Sequence, residues 1–220
     1  MTTRPVKTRF APSPTGLLHA GNLRTAIFSA LLAKSHQGKF LLRIEDSDEA
    51  RNQADALAAV LEDLRWLGVI WDEGPECGQP PVTWQQSARA DIHSEYFDRL
   101  LNSGHAYPCF CTVERLDTLR RQQQAAGKPP QYDSHCAEID PTEARARMQA
   151  GEAATLRLRV PASRSLKYVD IVRGEQVVSS DRLPGDFVIR RADGTAAFLF
   201  ANALDDALMG VTHVLRGEDH

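Results

Sequence analysis

What the 220-residue sequence lacks narrows its identity first. It has no long apolar run: stretches such as Ala30 to Ala33 and Ala196 to Leu199 stop far short of the roughly 20 residues a bilayer span needs, which argues against membrane insertion. The start is basic but carries no following apolar stretch and no small-residue cleavage pattern, so no secretory signal is expected and a cytoplasmic setting is. Cysteine is scarce: Cys77, Cys109, Cys111 and Cys136 are too few and too unevenly placed for a disulfide framework, which points to metal binding or free thiols. Strong net charge is missing as well, with 26 Lys and Arg against 29 Asp and Glu, so only a local basic face is left for nucleic acid. Neither GxxxxGK[ST] nor GxGxxG occurs, which removes the common phosphate loop and the dinucleotide fingerprint.

What is present is 42% hydrophobic and 25% charged residues, enough for a globular protein of one or two domains. Lys7 to Ala11 reads as a strand stopped by Pro12 and Pro14, and Leu23, Ile27, Ala30 and Leu31 then recur at helical spacing up to Gly38, the expected left-handed stop. Lys39 to Glu45 reads as a buried strand, completing a βαβ crossover and hence a parallel sheet. A second helix is expected from Asn52 to Leu67 with Gly68 as its stop, and the Gly, Pro and Cys between Gly74 and Pro81 mark a boundary.

Helical faces follow at Ile92, Tyr96, Phe97, Leu100 and Leu101, and at Val113, Leu116 and Leu119; Asp140-Pro141 opens a further helix. Leu156, Leu158 and Val160 alternate with Arg157 and Arg159 as a strand should. Asp193-Gly194 signals a hairpin into Ala197-Phe-Leu, and Val211 to Leu215 reads as one more strand.

In a parallel sheet, ligands bind beyond the carboxyl ends of the strands, where a helix N-terminus offers unpaired N–H groups to an anion. The segment from Ser13 to Asn22 occupies that place: Gly16 and Gly21 allow a phosphate to approach the backbone, and His19 can donate to it. Taken alone, His19 is as readily a capping or core histidine. Its context, PSPTGxLHxGN followed by RTA and then by RIEDSD, resembles the HIGH-type signature of class I aminoacyl-tRNA synthetases, in the glutamyl branch. The likeness continues through WLGVIWDEGP, YPCFCTVERL, DFVIRRADGT and LDDALMGVTHVLRGEDH, and so runs along essentially the whole chain.

That resemblance implies an α/β fold: a Rossmann-like parallel sheet interrupted by an inserted α+β acceptor-binding subdomain. Residues 1–75 would form the first half of the catalytic domain, 76–185 the insertion, and 186–220 the start of the second half. It also implies activation of L-glutamate by ATP with Mg²⁺ and transfer to tRNA(Glu), by a monomer. Arg9 would meet the substrate carboxylate, in keeping with the two parallel bonds a guanidinium offers. Ala11 and Ser13 would line the same pocket, Glu45 would hold the amino group, and Asn202 and Arg216 would add contacts. Phe198 stands where relatives carry a tyrosine, so a hydroxyl contact is lost there. Ser13, Gly16, His19 and Gly21 would bind ATP, with His19, Gly21 and Asn22 as the catalytic signature. Adenylation rests on positioning and electrostatics and needs no covalent nucleophile, so Cys77 is read as a partly buried thiol without a catalytic role.

Cys109-Phe-Cys111 and Cys136 supply three soft ligands for a structural Zn²⁺. The resemblance places the fourth at Tyr132 or Glu138, with His135 chemically plausible but strained beside Cys136. Arg115, Arg120, Arg121 and Lys128 would then serve the tRNA acceptor end, or be the solvated face of a helix. No KMSKS-like lysine loop occurs, so the chain is expected to be the N-terminal part of a longer synthetase. Two other readings stay open: a glutamyl-queuosine tRNA(Asp) synthetase, and a non-catalytic tRNA-binding paralogue.

Overall fold

The computed structural model describes residues 4–14, 18–47 and 55–217. The chain falls into two compact units, Met1–His93 with Phe200–His220, and Ser94–Leu199. The sequence reading placed its boundaries at 75/76 and 185/186; the segment after Pro81 is hydrogen-bonded within the first unit, Gln86, Arg89 and His93 each reaching Asp205.

In the first unit β1 (Lys7–Phe10) and β2 (Lys39–Leu42) pair in parallel, Lys7 opposite Lys39 and Phe10 opposite Leu42, with α1 (Ala20–Ser35) between them in the chain. Single parallel bridges extend the sheet at Thr8 with His213, Leu41 with Glu73 and Ile44 with Gln85. The α/β class with a parallel sheet is therefore present, but the strand expected over Val211 to Leu215 is reduced to the His213 bridge. α1 ends otherwise than expected: Gln37, not Gly38, takes the left-handed conformation at φ 52°. The Gln37 N–H bonds Lys34 O at 3.1 Å and the Gly38 N–H bonds Ala33 O at 2.8 Å, a Schellman closure. Gly38 serves close approach instead, since a Cβ there would collide with the Val6 carbonyl that receives the Lys39 N–H.

α2 (Ala56–Trp66) turns Val60, Leu61 and Leu64 onto a core with Phe10, Phe40, Leu42 and Ile44, and Gly68 stops it at φ 71°. Its expected first residues, 52–54, lie outside the described residues. Leu64 is fully buried, so truncation to alanine costs about 2–5 kcal/mol.

α3 (Ala90–Asn102) leads into the second unit, where β3 (Ala106–Cys109), β4 (Thr155–Leu158) and β7 (Val188–Arg190) form an antiparallel sheet in the order β3-β4-β7. The simple inside–outside alternation read for β4 fails: this central strand buries Leu156 and Arg157 alike, and Arg157 Nη1 donates to Asp186 O at 2.8 Å. β5 (Ser165–Asp170) and β6 (Gly174–Ser179) make a separate hairpin. α4 (Val113–Ala125) buries none of its residues, Val113 included, whereas α5 (Pro141–Gln149) starts as expected, with Asp140 accepting from the Thr142 and Glu143 N–H groups. The Asp193-Gly194 turn forms, but Ala197-Phe-Leu is no strand. After one bridge between Arg190 and Ala196 the chain turns into α6 (Phe198–Leu208). Among the described residues no helix is long and apolar enough to cross a membrane.

Candidate active site

The parallel pairing outlasts β1 and β2, because Arg43 N–H bonds Phe10 O at 2.9 Å and Glu45 N–H bonds Pro12 O at 3.0 Å. This carries Ala11 and Ser13, both half-buried, alongside Glu45 at the carboxyl ends of the strands, where ligands bind in such sheets. Gly16 lies outside the described residues.

Arg43 stands two residues before Glu45 and thus on the same face of an extended segment. It is fully buried and joins three groups: Nη1 donates to Asp206 Oδ1 at 2.7 Å, Nη2 to Glu45 Oε1 at 3.1 Å and to Asn202 Oδ1 at 2.8 Å. Arg9 reaches Asp206 too, from Nε to Oδ1 at 3.2 Å and from Nη2 to Oδ2 at 3.3 Å. The structure therefore brings Arg9, Glu45 and Asn202 together, and does so through Arg43 and Asp206, which the sequence reading missed. Two guanidinium and two carboxylate charges balance, so removing one member of such a buried set costs about 3–5 kcal/mol. Burial pushes the Glu45 carboxyl above its ordinary 4.5, although Arg43, Asn202 and Arg9 all pull it down.

Asp205, next to Asp206 on α6, is fully buried and faces a different set: Arg89 Nε at 2.8 Å, His93 Nε2 at 3.0 Å and Gln86 Nε2 at 3.1 Å. Burial alone would raise its carboxyl, but the hydrogen bonds from His93 and Arg89 hold it below 3.8. Gln86 also accepts from Ser47 Oγ at 3.1 Å, and Asp46 accepts from the Ser87 N–H at 2.8 Å, so the loop carrying Glu45 is fastened on its far side.

At the entry to α1, His19 is the N-cap. Its Nδ1 accepts from the Gly21 N–H at 3.1 Å, and Asn22 Oδ1 accepts from the His19 N–H at 3.3 Å, which closes a capping box. The capping role is thus real, and it leaves a function free: with Nδ1 accepting, the neutral ring carries its proton on Nε2, in an exposed side chain. No acidic residue occupies the first turn of α1, so its dipole is open to an anion. Two expected residues are not gathered into the cluster. Arg216 is exposed without a partner among the described residues, and Phe198, 53% exposed at the start of α6, belongs to the second unit. Cys77 is exposed, not partly buried.

In the second unit the three thiols of Cys109, Cys111 and Cys136 lie within 4.8 Å of one another. The Tyr132 hydroxyl is 3.3 Å from Cys109 Sγ and 3.4 Å from Cys111 Sγ, while exposed His135 and Glu138 do not join the group. Burial pushes Cys109 up, but hydrogen bonding with Tyr132 and the nearby Arg157 bring it down to about 7. Cys111 goes to about 11 through burial and the neighbouring thiols. Burial and its thiol partners push Tyr132 up as well. Of the basic stretch beside them, Arg115 pairs with Asp133 at 2.6 Å and Arg120 with Asp117 at 3.3 Å; Arg121 and Lys128 are exposed without side-chain partners among the described residues.

Comparison with known proteins adds to this geometry. Residues 5–220 match the family described as tRNA synthetases class I (E and Q), catalytic domain. The chain is similar to glutamate–tRNA ligase 2 of Alkalilimnicola ehrlichii, 54% identical over 220 residues, covering 100% of this chain and 46% of that protein. It is 52% identical over 215 residues to glutamate–tRNA ligase 2 of Nitrosococcus oceani, covering 98% of this chain and 45% of the relative. A crystal structure of a glutamate tRNA ligase from Elizabethkingia meningosepticum, in complex with its amino acid, superposes with a TM-score of 0.88 at 36% identity, over 98% of this chain and 44% of that one. The chain thus spans about half the length of the relatives it matches.

Proposed function

Since the chain belongs to the class I tRNA synthetases (E and Q), we propose that the protein containing it activates L-glutamate with ATP and Mg²⁺ and transfers it to tRNA(Glu). The observation that carries this reading is the meeting of Arg9, Glu45 and Asn202 at the carboxyl ends of parallel strands. Arg9 binds a carboxylate of the amino acid, Glu45 its ammonium group, and Ala11 and Ser13 line the pocket; Arg216 joins from the segment after α6. Ser13, Gly16, His19 and Gly21 hold ATP. The His19 Nε2–H and the start of α1 stabilise charge developing on the phosphate, with Asn22 fixing the His19 backbone through the capping box.

In the second unit the donor set fits a tetrahedral Zn²⁺: three thiols already gathered, with the Tyr132 oxygen touching two of them. Cys109, Cys111, Cys136 and Tyr132 would hold it as a structural ion. This unit, with Arg121 and Lys128 free to meet phosphates, binds the acceptor end of the tRNA. The working setting is the cytoplasm and the working form a monomer. The relatives favour neither the queuosine-modifying synthetase nor the non-catalytic paralogue. Charging of tRNA(Glu) with labelled glutamate by the complete protein tests the proposal; charging of tRNA(Asp) alone, or of no tRNA, overturns it.

A further inference from the structure

A guanidinium has five N–H donors arranged in two forks, one side-on at Nε and Nη2 and one end-on at Nη1 and Nη2. Asp206 fills the side-on fork of Arg9, at 3.2 and 3.3 Å. Nη1 of Arg9 has no partner among the described residues, so the end-on fork is left with both of its edges able to donate. Asp206 is itself fixed, since its Oδ1 also accepts from Arg43 Nη1 at 2.7 Å, and Arg43 is fully buried and tied to Glu45 and Asn202. Arg9 therefore cannot swing about its long side chain without breaking a pair anchored in the core.

We propose that Asp206 is a positioning residue for amino-acid binding: it grips Arg9 side-on and so presents the end-on fork to the carboxylate of the substrate. This rests on the reading that Arg9 binds that carboxylate. Asp206 touches no substrate and acts through Arg9, with Arg43 as the brace that links the carboxylate-binding side of the pocket to the ammonium-binding Glu45. The proposal opposes what charge alone predicts. Removing a negative group beside Arg9 strengthens the local attraction for an anion, whereas losing the grip costs the second hydrogen bond of a bidentate contact.

The test is glutamate-driven ATP–pyrophosphate exchange, with tRNA present, by the complete protein and its Asp206→Asn, Arg9→Lys and doubly substituted variants, with thermal melting followed in parallel. Positioning predicts a glutamate KM raised about tenfold in Asp206→Asn, with the ATP KM and kcat near those of the parent. It also predicts that Asp206→Asn adds little once Arg9→Lys has removed the fork, because the two residues act as one unit. An unchanged or lowered glutamate KM in Asp206→Asn overturns the proposal while leaving the functional reading intact, and so does a full additional loss in the double variant. A parent protein without glutamate-driven exchange overturns the functional reading and the proposal with it. If Asp206→Asn does not fold, Asp206→Glu carries the same test: its extra methylene displaces the fork, and an unchanged glutamate KM counts against the proposal.

Discussion

In the first unit, side chains from positions as distant as 9 and 206 meet with each carboxylate already paired to a guanidinium. In the second, three thiols and a phenol from positions 109 to 136 meet, and burial with the neighbouring thiols makes Cys111 keep its proton up to about 11 and pushes Tyr132 up as well. The difference separates two ways of building a site. A charge-balanced cluster is organised before its ligand arrives and gives up little order on binding it. A cluster of protonated soft donors is completed only by an ion that displaces those protons, so its affinity is coupled to pH and to folding. The first suits a substrate that comes and goes, and the second a resident structural metal.

The two can be broken independently. The largest effect is expected at the second unit, where chelation should strip about one zinc per chain and lower the melting temperature, and zinc affinity should climb as pH rises through 7. Metal analysis with melting curves checks this, and an unchanged melt after chelation removes the metal from the account. His19→Ala should slow glutamate activation by about 10²-fold, the scale of one transition-state donor, with the glutamate KM unmoved. A shift in glutamate KM alone would place His19 in the amino-acid pocket instead.

Glu45 sharpens the contrast through pH. Its carboxyl is raised above 4.5 in the fold, so on acidification it takes up a proton before an exposed glutamate does. Glutamate KM should accordingly rise by up to about tenfold per pH unit, starting above pH 4.5, and a flat profile down to that pH would contradict the assignment. The sign for stability is opposite. Glu45's favourable contribution is complete below 4.5 and is lost as pH rises through the folded value, while Asp205, held below 3.8, stabilises above 3.8 and loses that contribution as pH falls below it. The smallest effect is local: Gln37→Gly, relieving the left-handed φ of 52°, should stabilise the first unit by about 1 kcal/mol in denaturant melts, with both sites unaffected.

Sequence showed the βαβ unit because a short segment stopped by Pro12 and Pro14, a face of helical period and the buried run from Lys39 to Glu45 follow one another within a short span. It showed Arg9, Glu45 and Asn202 because they sit in runs that resemble a family. Arg43 had a local signal, its spacing of two from Glu45 on an extended segment. Asp206 had none, since its partners lie 163 and 197 positions away and nothing in LDDAL says that Asp205 and Asp206 face different networks. Local pattern misled where tertiary setting decides: Ala197-Phe-Leu is apolar enough for a strand, yet the chain after Ala196 coils so that Ala201 and Asp205, four apart on α6, are buried together. Arg157 looked like the solvent side of β4 and is covered because the Tyr132 ring stacks 3.7 Å from its guanidinium, which also donates to the Asp186 carbonyl.

Amino-acid-dependent ATP–pyrophosphate exchange by the complete protein and its Arg9→Ala variant, with tRNA present, tests the central claim most directly. The account predicts exchange driven by glutamate in the parent and abolished in Arg9→Ala, both proteins melting as folded chains. Glutamate-driven exchange at the parental rate in Arg9→Ala would contradict it.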